Sequence, residues 1–453
     1  MPSRKNSLVI DMPSPTESTC APEPRSTRRL DTALFVSLLV MLMFGPLAFG
    51  ATQPWSQFVQ QTLALGLAVV WLVRFYRRGI VESPNSPLLL PAAIFFVFVV
   101  LQFTLNLTAY RYATLSEALN LIPCGVVLLV AGDIFTSRKR LRQFVVAMAV
   151  FGFGIALFAL LQDFSHTDKI YGLMPVRQLS ALMYGPYANH NHYAGLLEML
   201  TPLACAAAFV ERGAKRSLLL FATILMAASI VLSRSRGGVF GLTVAIVFVC
   251  VILNRDKRQR RAAPMILSVV AAGAICAALL ANDTVLRRFQ EVQDHYRPAI
   301  YVDTFRMWLH RPWLGFGWGA FPTVYPQFRS FYTSLFVNHA HNDYLEMLAE
   351  TGLVGAGLTA WFLFAVLRAG MRKIADKKDR EGSIATMGLM ASIVALLAHS
   401  TLDFNLHIPA NAAIFYTLCA AAAVPFPRRL QQVDYRPEWE EEAPEPILMD
   451  GQA

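Results

Sequence analysis

The chain has 453 residues, of which 55% are hydrophobic and only 15% are charged. Soluble domains carry a larger charged fraction, so this composition excludes an ordinary soluble protein and indicates a membrane protein. The formal net charge of +10 does not indicate nucleic-acid binding, because the basic residues lie in short clusters between apolar segments.

Apolar segments of about 20 residues recur along the chain, and each could cross about 30 Å of hydrocarbon as a helix. We predict an all-α polytopic membrane protein of about twelve transmembrane helices. The predicted spans are Thr32–Ala51, Ser56–Phe75, Pro87–Leu105, Ser116–Phe135, Gln143–Leu161, His192–Val210, Ser217–Ser233, Gly237–Leu253, Ala263–Ala281, Gly352–Ala369, Ala385–Leu402 and Ala410–Val424.

The basic clusters fall in alternate loops, for example around Arg140, Arg258 and Lys377. By the positive-inside rule these loops and both termini are cytoplasmic. Residues 1–31 and 426–453 are predicted to be cytoplasmic tails, the first of them disordered. Spans one to nine then occupy residues 32–281, and spans ten to twelve occupy residues 351–425.

The remaining loops are predicted to be extracytoplasmic, and the longest covers residues 282–350 between the ninth and tenth spans. This loop is longer than a connection requires, which is typical of a functional or disordered segment. Its aromatic residues, Trp308, Trp313 and Trp318 among them, argue against disorder. They favour helices that lie at the membrane interface.

A basic turn stands between the seventh and eighth spans, on the side where the positive-inside rule predicts no basic residues. It contains Arg234 and Arg236 within Ser233–Gly238 (SRSRGG). The arginines could extend to lipid headgroup phosphates, or they could bind an anionic substrate. Arginine suits a diphosphate because its fixed fork of donors engages two oxygens at once.

The long loop contains a predicted helix that begins near Arg297 and Pro298 and ends near His310. Proline is favoured at the first helical position, and Arg297 would lie at the positive end of the helix dipole, where an anion is stabilised. The glycine-rich run Gly315–Gly319 is not a dinucleotide-binding motif, because no strand precedes it. We predict a turn there.

A histidine motif, Asn338–Asp343 (NHAHND), precedes the helix that leads into the tenth span, with Asn342 or Asp343 as its N-cap. His339 and His341 could bind a metal, although no matching carboxylate or thiol spacing accompanies them. They could also be interfacial residues, or one could be a general base that takes a proton from an acceptor hydroxyl. Glu346 and Glu350 follow on that helix and are either solvated charges or further site residues.

Two further polar stretches lie in outer loops. Asn189–Tyr193, which includes Asn191 and His192, precedes the sixth span, and Asp403–His407 lies between the last two spans. Polar groups on one side of a bundle suggest a shared cavity, although helix caps and glycan hydrogen bonds would use the same residues. No Asp-x-Asp pair occurs in an outer loop, which disfavours a metal-dependent nucleotide-sugar enzyme.

Three stretches in this order resemble the O-antigen ligase superfamily of lipopolysaccharide O-antigen ligases, O-antigen polymerases and protein O-oligosaccharyltransferases. They are Ser235–Gly238 (SRGG); Arg297 with Arg311–Gly317 (RPWLGFG); and His341–Glu346 (HNDYLE) with Glu350–Gly355 (ETGLVG). Asn189–Gly195 (NHNHYAG) also resembles the family's Asn-rich entry to a span. The extra Arg234 and His339 depart from the family pattern.

The resemblance implies a multispanning, metal-independent glycosyltransferase of GT-C-like architecture in the bacterial inner membrane, with an extracytoplasmic site and no cofactor. Its donor would be a glycan on undecaprenyl diphosphate, and its acceptor lipid A-core, a glycan or a protein. The implied catalytic residues are Arg236 and Arg297, which hold the diphosphate, and His341, the base. Arg234, His339, Asn342, Asn191 and His192 are predicted to bind substrate.

The motifs do not separate a ligase from a polymerase. A transporter or flippase is the alternative from another class, but it should place polar residues near mid-membrane and show repeat symmetry. A structural partner in polysaccharide export would tolerate replacement of the arginines and of His341. The sequence favours the enzyme, because its polar motifs gather on one predicted side.

Overall fold

The computed structural model describes residues 25–78, 86–165, 169–172, 174–175, 183–255, 273, 296–334, 336–376 and 378–425. The described part is almost entirely helical. Its helices are α1 Arg25–Leu47, α2 Pro54–Arg78, α3 Leu89–Thr104, α4 Arg111–Ile134, α5 Arg138–Phe164, α6 His190–Val210, α7 Gly213–Leu232, α8 Arg236–Arg255, α9 Arg297–His310, α10 Phe321–Val324, α11 Asp343–Ile374, α12 Arg380–His399 and α13 Pro409–Ala423.

Within these ranges, nine helices are long and apolar enough to cross a membrane, and α3 and α13 are shorter apolar helices. The prediction of an all-α polytopic membrane protein is confirmed. Eleven of the twelve predicted spans coincide with a described helix. The other one, Ala263–Ala281, lies outside the described residues apart from Gly273.

Short elements connect the helices. Three 3-10 turns cover Phe49–Ala51, Tyr325–Gln327 and Asn405–His407. Strands β1 (Lys169–Ile170) and β2 (Met174–Pro175) form an antiparallel pair in the loop after α5. The first helix is described from Arg25, so it includes residues 25–31 of the predicted tail. Residues 1–24 and 426–453 lie outside the described part.

The ends of the helices divide the bundle into two sides. One side, the basic end, carries the clusters of Arg138–Arg142 and Lys373, where Arg142 pairs with Glu211 at 2.6 Å and Arg138 with Asp379 at 2.9 Å. At the opposite side, the site end, helices α6, α8, α11 and α13 begin and α5, α7 and α12 end. All the motifs singled out in the sequence lie at the site end.

Helices α6 and α12 lie at the centre, and their small residues allow close packing. A Cβ on Gly388 of α12 would meet Ala206 of α6, and Ser392 donates a hydrogen bond across the interface to the Met199 carbonyl. Both helices are therefore surrounded by protein along most of their length. Their polar residues lie inside the bundle rather than in lipid.

The outer segment, residues 296–342, forms a small layer over the site end with its own core of Ile300, Met307, Phe316, Phe321 and Tyr325. The predicted helix from Arg297 to His310 is confirmed as α9. The predicted turn at Gly315–Gly319 is confirmed as well, since these residues form bends and turns.

Backbone hydrogen bonds join the outer segment to α11. The Phe316 and Gly317 N–H groups donate to the carbonyls of Ala349 and Glu350 at 3.0 and 2.9 Å, and Leu353 N–H donates to Pro312 at 2.8 Å. The backbones of the two segments approach so closely because Gly315 and Gly352, both at positive φ, have no side chain. Two of the motifs thus form one joint, which fixes α9 against α11.

Candidate functional site

His341 occupies a left-handed backbone conformation with φ of 52°. This conformation is uncommon for a residue with a side chain and persists where the surroundings impose it, often at functional sites. Two contacts hold it here. The Tyr301 hydroxyl of α9 donates to the His341 carbonyl at 2.9 Å, and the next residue, Asn342, caps α11 with bonds of 3.1 Å to the N–H groups of Tyr344 and Leu345. The predicted N-cap is confirmed at Asn342.

Asp403 connects three of the predicted site residues. Its carboxylate lies 3.4 Å from Nδ1 of His341 and accepts a hydrogen bond of 2.5 Å from the Asn191 amide. One guanidinium nitrogen of Arg297 lies 3.8 Å from the same carboxylate, and another donates to the Leu402 carbonyl at 2.5 Å. Arg297 and Tyr301 are one turn apart on α9, so both reach this loop. The carboxylate is 1% exposed.

Burial alone would raise the pKa of the Asp403 carboxyl. The hydrogen bond and electrostatic attraction from His341, together with the positive charge of Arg297, hold that pKa well below its usual range. Asp403 therefore remains a carboxylate. It can orient the His341 ring through Nδ1, which leaves Nε2 as the nitrogen available to a substrate.

Phe404 is the common neighbour of three histidines. The His339 ring stacks on it with centroids 4.1 Å apart, and the rings of His341 and His192 meet its edge at 5.1 and 4.7 Å. The structure thus places predicted residues from α6 and from the loop before α11 around one aromatic side chain. His192 is buried, and its Nε2 has no hydrogen-bond partner among the described residues.

The interpretation of Glu346 and Glu350 as solvated charges is wrong, because each is 1% exposed. Glu346 accepts hydrogen bonds from Nδ1 of His339 at 2.8 Å and from the Ala340 N–H at 2.7 Å. Glu350 accepts one from the Phe321 N–H at 2.8 Å. Both carboxylates face protein because the outer segment covers the first turns of α11.

His407 adds a third member to this buried group. Its Nδ1 contacts Asp343 at 2.8 Å and its Nε2 lies 3.5 Å from Glu346. Burial would lower the pKa of His407, but Glu346, Asp343 and Glu350 raise it to about 10. The ring therefore carries a positive charge at neutral pH, which balances part of the charge of the buried carboxylates.

His339, Glu346 and His407 have ligand atoms within 4.8 Å of one another and could hold a metal ion. The carboxylate that seemed to be lacking beside the histidine pair is thus present, because the first turn of α11 brings Glu346 back onto His339. The same side chains also form an ion cluster, in which His339 is hydrogen-bonded to Glu346 and Nε2 of His407 lies 3.5 Å from the same carboxylate. Either arrangement uses His339 as a partner of the buried Glu346.

The arginine turn lies at the junction of α7 and α8. Arg234 has a positive φ of 68° and pairs with Asp163 at the end of α5 at 3.3 Å. Arg236 is the first residue of α8 and its side chain is exposed. Nδ1 of His190, in the first turn of α6, lies 2.8 Å from the Ser233 carbonyl. The first turn of α6 therefore contacts both the arginine turn and Asp403.

The structure brings Arg297, His341 and Asn191 together on Asp403, and it places His192 and His339 against Phe404. Arg234 and Arg236 occupy the neighbouring turn, where Arg234 pairs with Asp163. Sequence reasoning missed the central position of Asp403 and Phe404. Their polar run, Asp403–His407, was a visible signal, but nothing in its spacing indicated which motif it would meet.

Residues 221–360 match the family model described as O-antigen ligase, which confirms the resemblance read from the motifs. The match covers α8, the outer segment and the first half of α11, and so includes Arg234, Arg236, Arg297 and the histidine motif. Asn191, His192 and Asp403 lie outside it. No curated protein matches the chain at a significant level.

Proposed function

We propose, from the membership of residues 221–360 in the O-antigen ligase family, that this membrane protein transfers a glycan from undecaprenyl diphosphate to an acceptor hydroxyl. The reaction takes place at the outer face of the inner membrane. The observation that carries the proposal is the contact of one buried carboxylate, Asp403, with both His341 and Arg297. The same carboxylate thus contacts both the proposed proton acceptor, His341, and the proposed phosphate-binding group, Arg297.

The charge distribution supports an extracytoplasmic site. The basic clusters lie at the basic end and the motifs at the site end, so the positive-inside rule assigns the site end to the outside. Nucleotide sugars are not supplied there. A donor whose activating diphosphate travels with a lipid meets that requirement.

In the proposed reaction the acceptor oxygen attacks the anomeric carbon of the donor sugar. The bond from that carbon to the diphosphate oxygen breaks, and undecaprenyl diphosphate leaves with the electron pair. The acceptor's proton passes to Nε2 of His341, whose Nδ1 is held by Asp403. Arg236 and Arg297 stabilise the charge on the leaving diphosphate; one such donor typically contributes about 3 kcal/mol.

Two arginines can stabilise this charge without a metal ion, because each guanidinium can engage two diphosphate oxygens. We therefore propose a metal-independent reaction with no cofactor. Arg234, whose guanidinium pairs with Asp163, and Asn342, whose side chain caps α11, support the backbone of the two motifs. Asn191, His192 and His339 surround the acceptor side of His341.

A polymerase of the same superfamily is the second candidate, since it differs in acceptor and not in the proposed chemistry. The acceptor would be the end of a growing glycan rather than lipid A-core or protein. A transporter is less well supported, because the family model that the chain matches describes membrane ligases and polymerases.

The decisive experiment is incubation of the purified protein with a lipid-linked oligosaccharide and, separately, lipid A-core, a glycan and a protein acceptor. Mass analysis should show one acceptor that gains the full oligosaccharide mass, together with released undecaprenyl diphosphate. Movement of the donor across a vesicle membrane without any new covalent product would contradict the proposal and favour transport.

A further inference from the structure

A buried ion pair lies inside the bundle beneath the arginine turn. Glu198 of α6 and His399 at the end of α12 are both 0% exposed, and Nδ1 of His399 lies 3.1 and 3.2 Å from the two carboxylate oxygens of Glu198. A carboxylate buried among membrane helices is costly unless it is paired, and such pairs commonly serve function. None of the roles assigned above uses either residue.

The other nitrogen of His399, Nε2, is buried and has no hydrogen-bond partner among the described residues. Its ring edge faces Gly237, the second residue of α8: a Cβ at position 237 would overlap Nε2 and Cδ2 of His399. Gly241, one turn further, is similarly pressed against Glu198. Because these two positions are glycines, the Glu198–His399 pair can pack directly against the first turns of α8.

The first turn of α8 is suited to an anion. A helix N-terminus has unpaired N–H groups and a partial positive charge. Ser235 satisfies the N–H groups of Gly238 and Val239, at 3.1 Å each, and Arg236 brings a guanidinium to the same turn. His399 adds an unpaired polar atom from below.

His399 also lies next to the histidine motif. The following residue, Ser400, accepts a hydrogen bond of 2.9 Å from the Asp343 N–H, and the Asn342 amide donates to the Thr401 carbonyl at 3.0 Å. The end of α12 thus contacts both the turn that carries Arg236 and the loop that carries His341. A diphosphate between these two elements would lie within reach of the end of α12.

We propose that His399, held by Glu198, is a further donor-binding residue whose Nε2–H donates to the lipid-linked diphosphate at the N-terminus of α8. The inference rests on the proposed function and extends its diphosphate site. A carboxylate that accepts a hydrogen bond from Nδ1–H stabilises the doubly protonated ring. In that ring Nε2 also carries a proton. An anion is the partner that this buried N–H lacks.

The test measures the affinity of the full chain in detergent for undecaprenyl diphosphate. His399→Gln should weaken binding about tenfold, the scale of one hydrogen bond to a charged group. Glu198→Gln should weaken it to a similar extent. A neutral partner at position 198 no longer stabilises the charged ring, so the charge-assisted hydrogen bond from Nε2 to the diphosphate is lost.

In the double variant the two effects should not add, because each single change removes the same donor. The matched control is Ser392→Ala, which removes a buried hydrogen bond between the same two helices and should leave diphosphate affinity unchanged. If His399→Gln does not fold, Glu198→Gln, which keeps the shape of both side chains, supplies the test.

Failure of this inference can be distinguished from failure of the proposed function. If Arg236→Ala and Arg297→Ala weaken binding while folded Glu198→Gln and His399→Gln bind as the wild type does, the ion pair is structural and the inference is wrong. If the wild type does not bind undecaprenyl diphosphate, or the arginine variants bind it normally, the proposed function fails as well.

Discussion

At the scale of single residues, the strained backbone of His341 and the buried carboxylate beside it define the proposed base. If His341 takes the acceptor's proton, His341→Ala should leave donor binding nearly intact and lower turnover by about 100-fold or more. Arg236→Ala and Arg297→Ala should weaken both donor binding and turnover, because the diphosphate is charged before the reaction and more so as it leaves. Lysine should rescue them only partly.

Donor affinity and single-turnover rates of folded variants would measure this difference. His339→Ala is the informative comparison, because His339 is bound to Glu346 rather than to Asp403. Normal turnover in His341→Ala with an inactive His339→Ala would move the base by two residues. Activity in both variants would contradict a catalytic histidine.

Asp403 should be required for turnover although it touches no reacting atom. In Asp403→Asn the amide can still contact His341, but the negative charge that stabilises the protonated ring is lost. We expect turnover to fall at least about tenfold, since loss of the corresponding charge in other histidine–aspartate pairs costs more than this. Single-turnover rates measured across pH would show the loss. An unchanged rate and pH profile would make the contact structural only.

At the scale of helices, the sequence predicted what depends on local pattern. Segment length gave the spans, Pro298 gave the start of α9 and Asn342 the start of α11. It could not predict contacts between distant residues. His341 meets Asp403 across 62 residues and Glu198 meets His399 across 201, and no spacing rule links them. Glu198 in particular lies within a span that the sequence presented as apolar.

The joint between α11 and the outer segment depends on one glycine. Gly352 has φ of 61° and ψ of −164°, a conformation that almost only glycine adopts, and a Cβ there would overlap the backbone of Trp313. Gly352→Ala should therefore destabilise the protein by about 1–3 kcal/mol and also lower activity, because α9 carries Arg297.

Thermal unfolding in detergent would measure the loss. Gly357→Ala is the matched control, since Gly357 lies on the same helix with nothing within 4 Å of its Cβ position. That change should be neutral or slightly stabilising. Equal stability of the two variants would show that the joint does not require a glycine at position 352.

At the scale of the whole molecule, the side of the membrane on which the site lies decides the chemistry. Reporter fusions should place the loops that contain Arg140, Arg258 and Lys377 inside, and those that contain Arg236 and His341 outside, because basic loops are retained in the cytoplasm. Arg258 and Lys377 lie outside the described residues, so their loops are tested by the fusions alone. An inside location for His341 would contradict the proposed function, since donor and acceptor would then be on the wrong side.

Transfer should not depend on a metal ion. We expect transfer activity to survive a chelator, because Arg236 and Arg297 can balance the diphosphate charge without a cation. Among the described residues, His339, Glu346 and His407 form the group able to bind one, and a hydrogen bond already joins His339 to Glu346. The measurement is transfer rate after chelation, with and without added magnesium, manganese or zinc, beside direct metal analysis of the purified protein. Loss of activity that a metal restores, together with loss of bound metal in Glu346→Gln, would overturn the metal-independent mechanism and assign the ion to this cluster.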